Sequence, residues 1–403
     1  MNLLFAWRYF KSKKTTNAIN IIARISVIAI AVGTTALIIV LSVFNGFEDL
    51  VKGLYADFYA DIKVSPVKGK TIILTPEQIN QLKNINGITQ TSLVAEEKAL
   101  LVNGDNQAIV YVKGVDDNYT NTSNMLAHIV RGKFILGNIE NPKLVIGAGI
   151  ENAAGIDVER SLTSVNIYLP DRKAKNLLSP ESLTAYTLQP SGTFLVQQDF
   201  DNKYVFTNLA FAKFMLGLNA NEYTSADIKT NNNSNKVKTQ IQKILGANYL
   251  VQTRYEQNQS LYMVMNIEKW VIYAILSLIL IVAAFNIIGA LTMLVIEKEK
   301  DIAVLKAMGA NNKKIQSIFL FEGILLASIG GISGILLASV ICFLQMQFHL
   351  IKLSGGSFII DYYPVQLNIF DFVLVAVTVL IIAILAAFIP AKKASMQEFS
   401  LKS

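Results

Sequence analysis

Four apolar runs decide what this chain can fold into, because each is long enough to cross a hydrocarbon core of about 30 Å. They extend from about Ile25 to Phe44, Val271 to Ile296, Ile315 to Phe348 and Phe372 to Ile389, with Pro390 expected to stop the last. Of the 403 residues, 52% belong to the hydrophobic set and only 16% are charged, too apolar for an ordinary soluble chain and too poor in charge for a disordered one. The chain reads as an α-helical membrane protein with four transmembrane helices. A cleaved signal peptide at the start is rejected. The first apolar run exceeds the usual core of about 7–15 residues, and it leads into Asn45-Gly46-Phe47-Glu48 without a small-residue cleavage site.

The net charge of +7 could signal nucleic acid or anionic lipid, and its placement decides between them. Arg8, Lys11, Lys13 and Lys14 precede the first run, Lys298, Lys300, Lys306, Lys313 and Lys314 lie between the second and third, and Lys392, Lys393 and Lys402 follow the fourth. The connection 349–371 carries only Lys352. By the positive-inside rule the start (1–24), the connection 297–314 and the tail (390–403) are cytoplasmic, and residues 45–270 lie on the far side. The basic surplus is topological, so membrane lipids and not nucleic acid are the expected surroundings.

Residues 45–270 are long enough to hold their own cores. The block begins as strand, helix, strand: Tyr59 to Val67 alternates around Ile62 and Val64, Thr75-Pro76-Glu77 opens a helix to about Ile85, and Ile88 to Val102 is extended. It ends the same way, with a strand over Tyr223–Lys229, a helix over Asn235–Leu245 that places Val237, Ile241 and Ile244 on one face, and a strand over Tyr249–Thr253. Two βαβ halves (57–102 and 223–254) are expected to form one α+β subdomain, with a β-rich subdomain (103–221) inserted between them. Asp171 to Ser191 fits no element. It reads as a long surface loop or, from Leu177, Leu178, Leu183, Tyr186 and Leu188, as a projecting arm for a partner.

Chemistry is scarce. Cys342 is the single cysteine, and His128 and His349 are the two histidines, which leaves no metal-ligand spacing. Gly69-Lys70-Thr71 lacks the earlier glycine of a phosphate loop, since position 64 is Val64. Asp116-Asp117 and Glu96-Glu97 read as solvated pairs. No catalytic residue, cofactor or metal is assigned, and the chain reads as a non-enzyme.

Within the spans, Gly330 and Gly334, and Ala29 with Gly33, have the spacing of close helix approach, whose plain reading is packing inside one subunit. Arg24 would snorkel to the surface, whereas Asn286 and Glu322 are polar groups at membrane depth that need partners. The connection EKEKDIAVLKAMGANNKK is the most specific feature. It alternates acid and base and then spaces Ile302, Leu305 and Met308 by three on a short helix ended by Gly309, a pattern suited to a groove on a soluble partner or to the lipid surface.

LSVFNGFEDL at the end of the first span, EKEKDIAVLKAMGA after the second and PAKKAS after the fourth resemble the lipoprotein-releasing permeases (the LolC/LolE family), within the wider set of MacB and FtsX-like permeases. The resemblance implies an ABC transporter permease subunit in the bacterial inner membrane. ATP is hydrolysed by a separate cytoplasmic ATPase subunit, expected as a dimer. Triacylated lipoproteins are lifted from the membrane and passed to a periplasmic carrier, and a second permease subunit completes the complex. It equates the βαβ halves and their insert with the family's porter and sabre subdomains. It also implies three sets of site residues. Glu297, Lys298, Glu299, Lys300, Asp301, Ile302, Leu305, Lys306, Met308 and Gly309 would couple to the ATPase, with Ile302, Leu305 and Met308 as the buried contact. Val40, Val43, Phe44, Met263, Met265 and Ile267 would hold lipoprotein, and Arg172, Lys173, Leu178, Leu183 and Tyr186 the carrier. The alternative within the wider set is export of another substrate or regulation of cell-wall hydrolases.

Overall fold

The computed structural model describes residues 17–159, 164–170, 183–231, 234–353 and 360–396. The chain divides into a unit built on Val51–Tyr262 and a unit of long helices built on the segments up to Leu50, Met263–Leu353 and from Tyr362 onward.

Helix α1 (Asn17–Phe58) does not end near Phe44 as its apolar run suggests. Val51, Leu54, Tyr55 and Phe58 recur at helical spacing and pack into an aromatic cluster, so burial carries the helix beyond the apolar run. In that cluster the rings of Phe58 and Phe200 stack at 4.0 Å.

In the unit built on Val51–Tyr262, strands β1 (Ile62–Pro66) and β2 (Ile72–Ile73) lead to α2 (Pro76–Lys83), which opens with a capping box between Thr75 and Gln78 and with Pro76 in its first turn. Then follow β3 (Ile88–Asn103), β4 (Asn106–Val115), β5 (Ile129–Gly132), β6 (Lys143–Gly147), β7 (Val165–Pro170), β8 (Leu183–Phe194) and β9 (Tyr204–Asn208). Helix α3 (Leu209–Leu216), strands β10 (Glu222–Tyr223) and β11 (Ser225–Thr230), helix α4 (Ser234–Leu245) and β12 (Tyr249–Thr253) complete the unit. At one end the strand order is β12-β1-β11-β3, so each strand–helix–strand segment receives a strand of the other between its own two. Helices α2 and α4 cover this part through Leu82, Val237, Ile241 and Leu245. Ile244 is exposed, contrary to expectation. The buried stripe passes at spacing four from Ile241 to Leu245, which follows a helix better than spacing three.

β3 continues past β11 and pairs with both β4 and β7. Through β4-β9-β6-β8-β7 the sheet returns to β3, and six strands close into a ring. Closure leaves these strands without an unpaired edge.

The unit of long helices holds α5 (Gln259–Glu297), α6 (Glu299–Ala307), α7 (Asn312–Phe348) and α8 (Ile369–Met396) beside the first part of α1. Among the described residues, four helices, α1, α5, α7 and α8, are long and apolar enough to cross a membrane. Pro390 does not stop the last of them. It lies buried inside α8, and Ala391 and Ala394 beyond it pack into the core, which holds the final turns despite the missing N–H. Side chains of the four helices form one core that includes Leu37, Leu41, Leu291, Phe319 and Ala387.

Candidate functional site

α6 follows α5 with only Lys298 between them. Glu299 and Asp301 stand in its first turn and Lys306 in its last, each sign matching the helix dipole, and Lys298 Nζ pairs with Asp301 Oδ2 at 3.2 Å. The three apolar residues spaced by three do not share a face. Ile302 is 3% exposed and belongs to the chain's own core, Leu305 is half-buried, and Met308 is 78% exposed. At about 100° per residue, three steps turn a helix only about 300°, so six steps carry Met308 well round from Ile302. The assignment of Ile302 to a partner-facing contact is therefore corrected. The outward surface is formed by Glu299, Lys300, Asp301, Val304 and Met308, with Gly309 at φ 87° closing the segment. Glu297 and Lys298 are half-buried. Lys306 Nζ donates to the carbonyl oxygen of Ser395, 3.0 Å away near the end of α8, and so points into the chain's own helices.

At the opposite end of the spans, Val40, Met263 and Ile267 are exposed, and Val43 and Phe44 are half-buried. Met265 is turned inward at 9% exposure, which corrects its place in an open lipid-facing set. Beside these residues lies a polar cluster that the sequence did not single out. Asn45 Nδ2 donates to Asp371 Oδ2 at 2.6 Å, Lys269 Nζ donates to Asn45 Oδ1 at 2.9 Å, and Lys269 Nζ pairs with Asp371 Oδ1 at 3.1 Å. Each residue stands where an apolar run begins or ends, so hydropathy places all three at one membrane level, but it cannot pair them. A cavity of about 490 Å³ adjoins the cluster, walled by Leu41, Trp270, Tyr273, Leu374 and Val377 with Lys269 and Asp371 at its polar side.

The projecting arm is corrected in part. Residues 183–191 belong to β8, where Tyr186 pairs with Ile167 of β7 and its ring meets Phe211 edge-on at 5.9 Å. Leu188 is buried. Pro190 sits at a register shift of the β6–β8 ladder, where a missing N–H is tolerated. Leu183 pairs through its backbone with Pro170, and Arg172, Lys173 and Leu178 lie outside the described residues.

The small residues of α7 serve packing within the chain. A Cβ on Gly330 would come within 2.8 Å of the Val27 carbonyl oxygen, one on Gly334 within 2.6 Å of that of Ala31, and Thr35 Oγ1 donates to the Gly334 carbonyl at 3.1 Å. Glu322 is buried, whereas Arg24 and Asn286 are exposed. Among the described residues, no group of three or more His, Cys, Asp or Glu side chains gathers as a metal site would.

Two family descriptions match the chain: a MacB-like periplasmic core domain over residues 24–172 and an FtsX-like permease C-terminal region over residues 273–399. A lipoprotein-releasing system transmembrane protein LolE from Haemophilus influenzae is 27% identical, across 97% of this chain and 96% of its own. A protein of Neisseria meningitidis named lipoprotein-releasing system transmembrane protein LolC is 25% identical, across 97% of each chain. The likeness to the lipoprotein-releasing permeases runs end to end. The periplasmic region of MacB from Actinobacillus actinomycetemcomitans, a solved structure, covers 53% of this chain at 9% identity with a TM-score of 0.37. The chain is a multi-pass membrane protein with a large domain outside the spans, and both of these relatives carry names that place them in one transport system.

Proposed function

We propose that this protein is the transmembrane subunit of an ABC transporter that extracts lipoproteins from the bacterial inner membrane. The observation that carries this reading is the match, over nearly the whole of both chains, to proteins named for lipoprotein release. A physical requirement agrees with it. Each buried methylene holds an acyl chain in the bilayer by about 0.8 kcal/mol, so a triacylated protein does not leave unaided. The work comes from a separate cytoplasmic ATPase docked on α6, with Val304 and Met308 as the apolar part of the contact and Glu299, Lys300 and Asp301 around it. Both termini and α6 are cytoplasmic and the sheet-containing domain is periplasmic. Its interleaved strand–helix–strand part acts as the porter subdomain and the ring of six strands as the sabre subdomain.

The lipid anchor rests against Val40, Val43, Phe44, Met263 and Ile267, between the first and second spans of two permease subunits. A periplasmic carrier receives the lipoprotein, with Arg172 and Lys173 among the residues that would bind it. The test is purification from native membranes in mild detergent, followed by mass spectrometry of bound proteins and acylated peptides. The expected result is an ABC ATPase together with triacylated lipoproteins. An ATPase without lipoproteins would overturn the substrate and favour another cargo or a regulatory role, and neither would overturn the transporter reading.

A further inference from the structure

Helix α8 is fastened at both ends to the segments the proposed function uses. Near its C-terminal end, the Ser395 carbonyl accepts from Lys306 Nζ of α6, and Ser395 is itself buried. At its first turn, Asp371 holds Asn45 of α1 and Lys269 of α5 together, with oxygens 2.6 Å from Asn45 Nδ2 and 3.1 Å from Lys269 Nζ. Two further bonds tie the same end. The Tyr273 hydroxyl of α5 is hydrogen-bonded to Thr378 of α8, and Gln366 N, in the lead-in to α8, donates to the Ser42 carbonyl of α1 at 2.9 Å. Gly46 makes this lead-in possible, because a Cβ there would collide with the backbone of Pro364 and Val365. Between the two ends, α8 packs closely on α7, where a side chain on Gly323 would strike Ala387.

These bonds define a route. A displacement of α6 by a docked partner pulls or releases the Ser395 end of α8. The same helix begins with a carboxylate that sets the separation of α1 and α5 through Asn45 and Lys269, which lie close to Phe44 and Ile267 in the chain. We propose that Asp371, with Lys269 and Asn45, is a positioning cluster that transmits the state of α6 through the fourth span to the lipid-facing surface of the first two. Asp371 does this by holding two donors from different helices on one carboxylate. The proposal rests on the transport reading, and it adds the fourth span to the direct continuation of α6 into α5 through Lys298.

The experiment uses Ile267→Cys in a Cys342→Ala background of the otherwise unchanged transporter with its partner ATPase. Maleimide labelling rates are compared without nucleotide and with ATP plus vanadate. The expected result is a nucleotide-dependent change of several-fold in the otherwise wild-type chain. Asp371→Asn, which keeps the size of the side chain but loses the ion pair, should reduce that change to less than twofold, with basal ATPase activity within twofold of wild type. The exchange Lys269→Asp with Asp371→Lys, which restores an ion pair of reversed sense, should recover at least half of the change, a recovery that simple loss of structure would not give. A full nucleotide response in Asp371→Asn overturns the proposal, as does failure of the exchanged pair to restore it. No nucleotide response in the wild-type background overturns the transport reading itself. Lipoprotein recovered with a wild-type response, but with the response unchanged in Asp371→Asn, overturns the positioning role alone.

Discussion

Among the chain's lysine–aspartate pairs, Lys113–Asp227 and Lys269–Asp371 have similar lengths in very different settings. Lys113 Nζ and Asp227 Oδ2 are 3.0 Å apart in the sheet-containing unit, each residue 3% exposed, with the Tyr119 hydroxyl 3.3 Å from the same ammonium. Lys269 and Asp371 are 3.1 Å apart at the ends of their helices, and the lysine side chain keeps 24% of its surface in contact with the surroundings. In the first pair, burial works against the charge on Lys113, yet Asp227, with Tyr119 and Glu96 near, holds the ammonium well above the usual lysine value. Such a pair locks one packing. The second joins three helices and stays partly open, so a motion of those helices can reach it. Identical chemistry thus fixes a fold in one place and suits a movable joint in the other.

The comparison breaks most visibly at Lys113. Replacing it with methionine leaves a buried carboxylate, and the expected loss is about 3–5 kcal/mol, read as a lowered unfolding midpoint of the detergent-solubilised protein. The double change Lys113→Met with Asp227→Leu should recover most of that loss, because two apolar groups leave no unpaired charge. Equal destabilisation by the double and single changes would show that the pair itself supplies the stability. Next in size is Gly334→Leu, which drives a side chain against the Ala31 carbonyl and should cost about 1–3 kcal/mol. Gly289→Ala, where nothing lies within 4 Å of the new carbon, should cost no more than a few tenths of that and serves as its control.

Lys269→Met should destabilise less than Lys113→Met, while impairing ATP-driven lipoprotein release more than any surface lysine change. The reverse order would erase the distinction between lock and joint. The smallest expected effect is one of pH. Burial raises the Asp201 carboxyl from 3.8 to about 6, with backbone N–H groups of Val196 and Gln197 partly opposing the shift. The folded state therefore prefers the protonated acid, and stability should fall as pH rises from about 4 to about 6, then level off. Asp201→Asn should flatten that window, which unfolding midpoints at several pH values would reveal.

Much of the architecture was legible because the spans obey hydropathy and the strands obey alternation. Legibility failed where packing overrode a local signal. Pro390 reads as a stop, but Ala391 and Ala394 continue the helix by burial. Gln189 to Ser191 reads as the end of a loop or arm, but these residues belong to β8, where a ladder irregularity absorbs the proline. Ile302, Leu305 and Met308 read as one face, but their spacing of three follows neither the helix nor its burial. The site was half legible. The acidic and basic run of α6 is local and carries its own signal. The Asn45–Lys269–Asp371 cluster is not local, because its members are more than a hundred residues apart in the chain and only the packed helices bring them together.

The central claim is that this protein converts ATP hydrolysis by a partner into removal of lipoproteins from a bilayer. The direct measurement is release from proteoliposomes that contain the protein, its ATPase and a triacylated lipoprotein, with a soluble carrier outside. The account predicts that lipoprotein appears on the carrier only when ATP is hydrolysed, and that Val304→Asp, on the exposed face of α6, suppresses both hydrolysis and release. Continued ATP hydrolysis with every lipoprotein still in the membrane would contradict it.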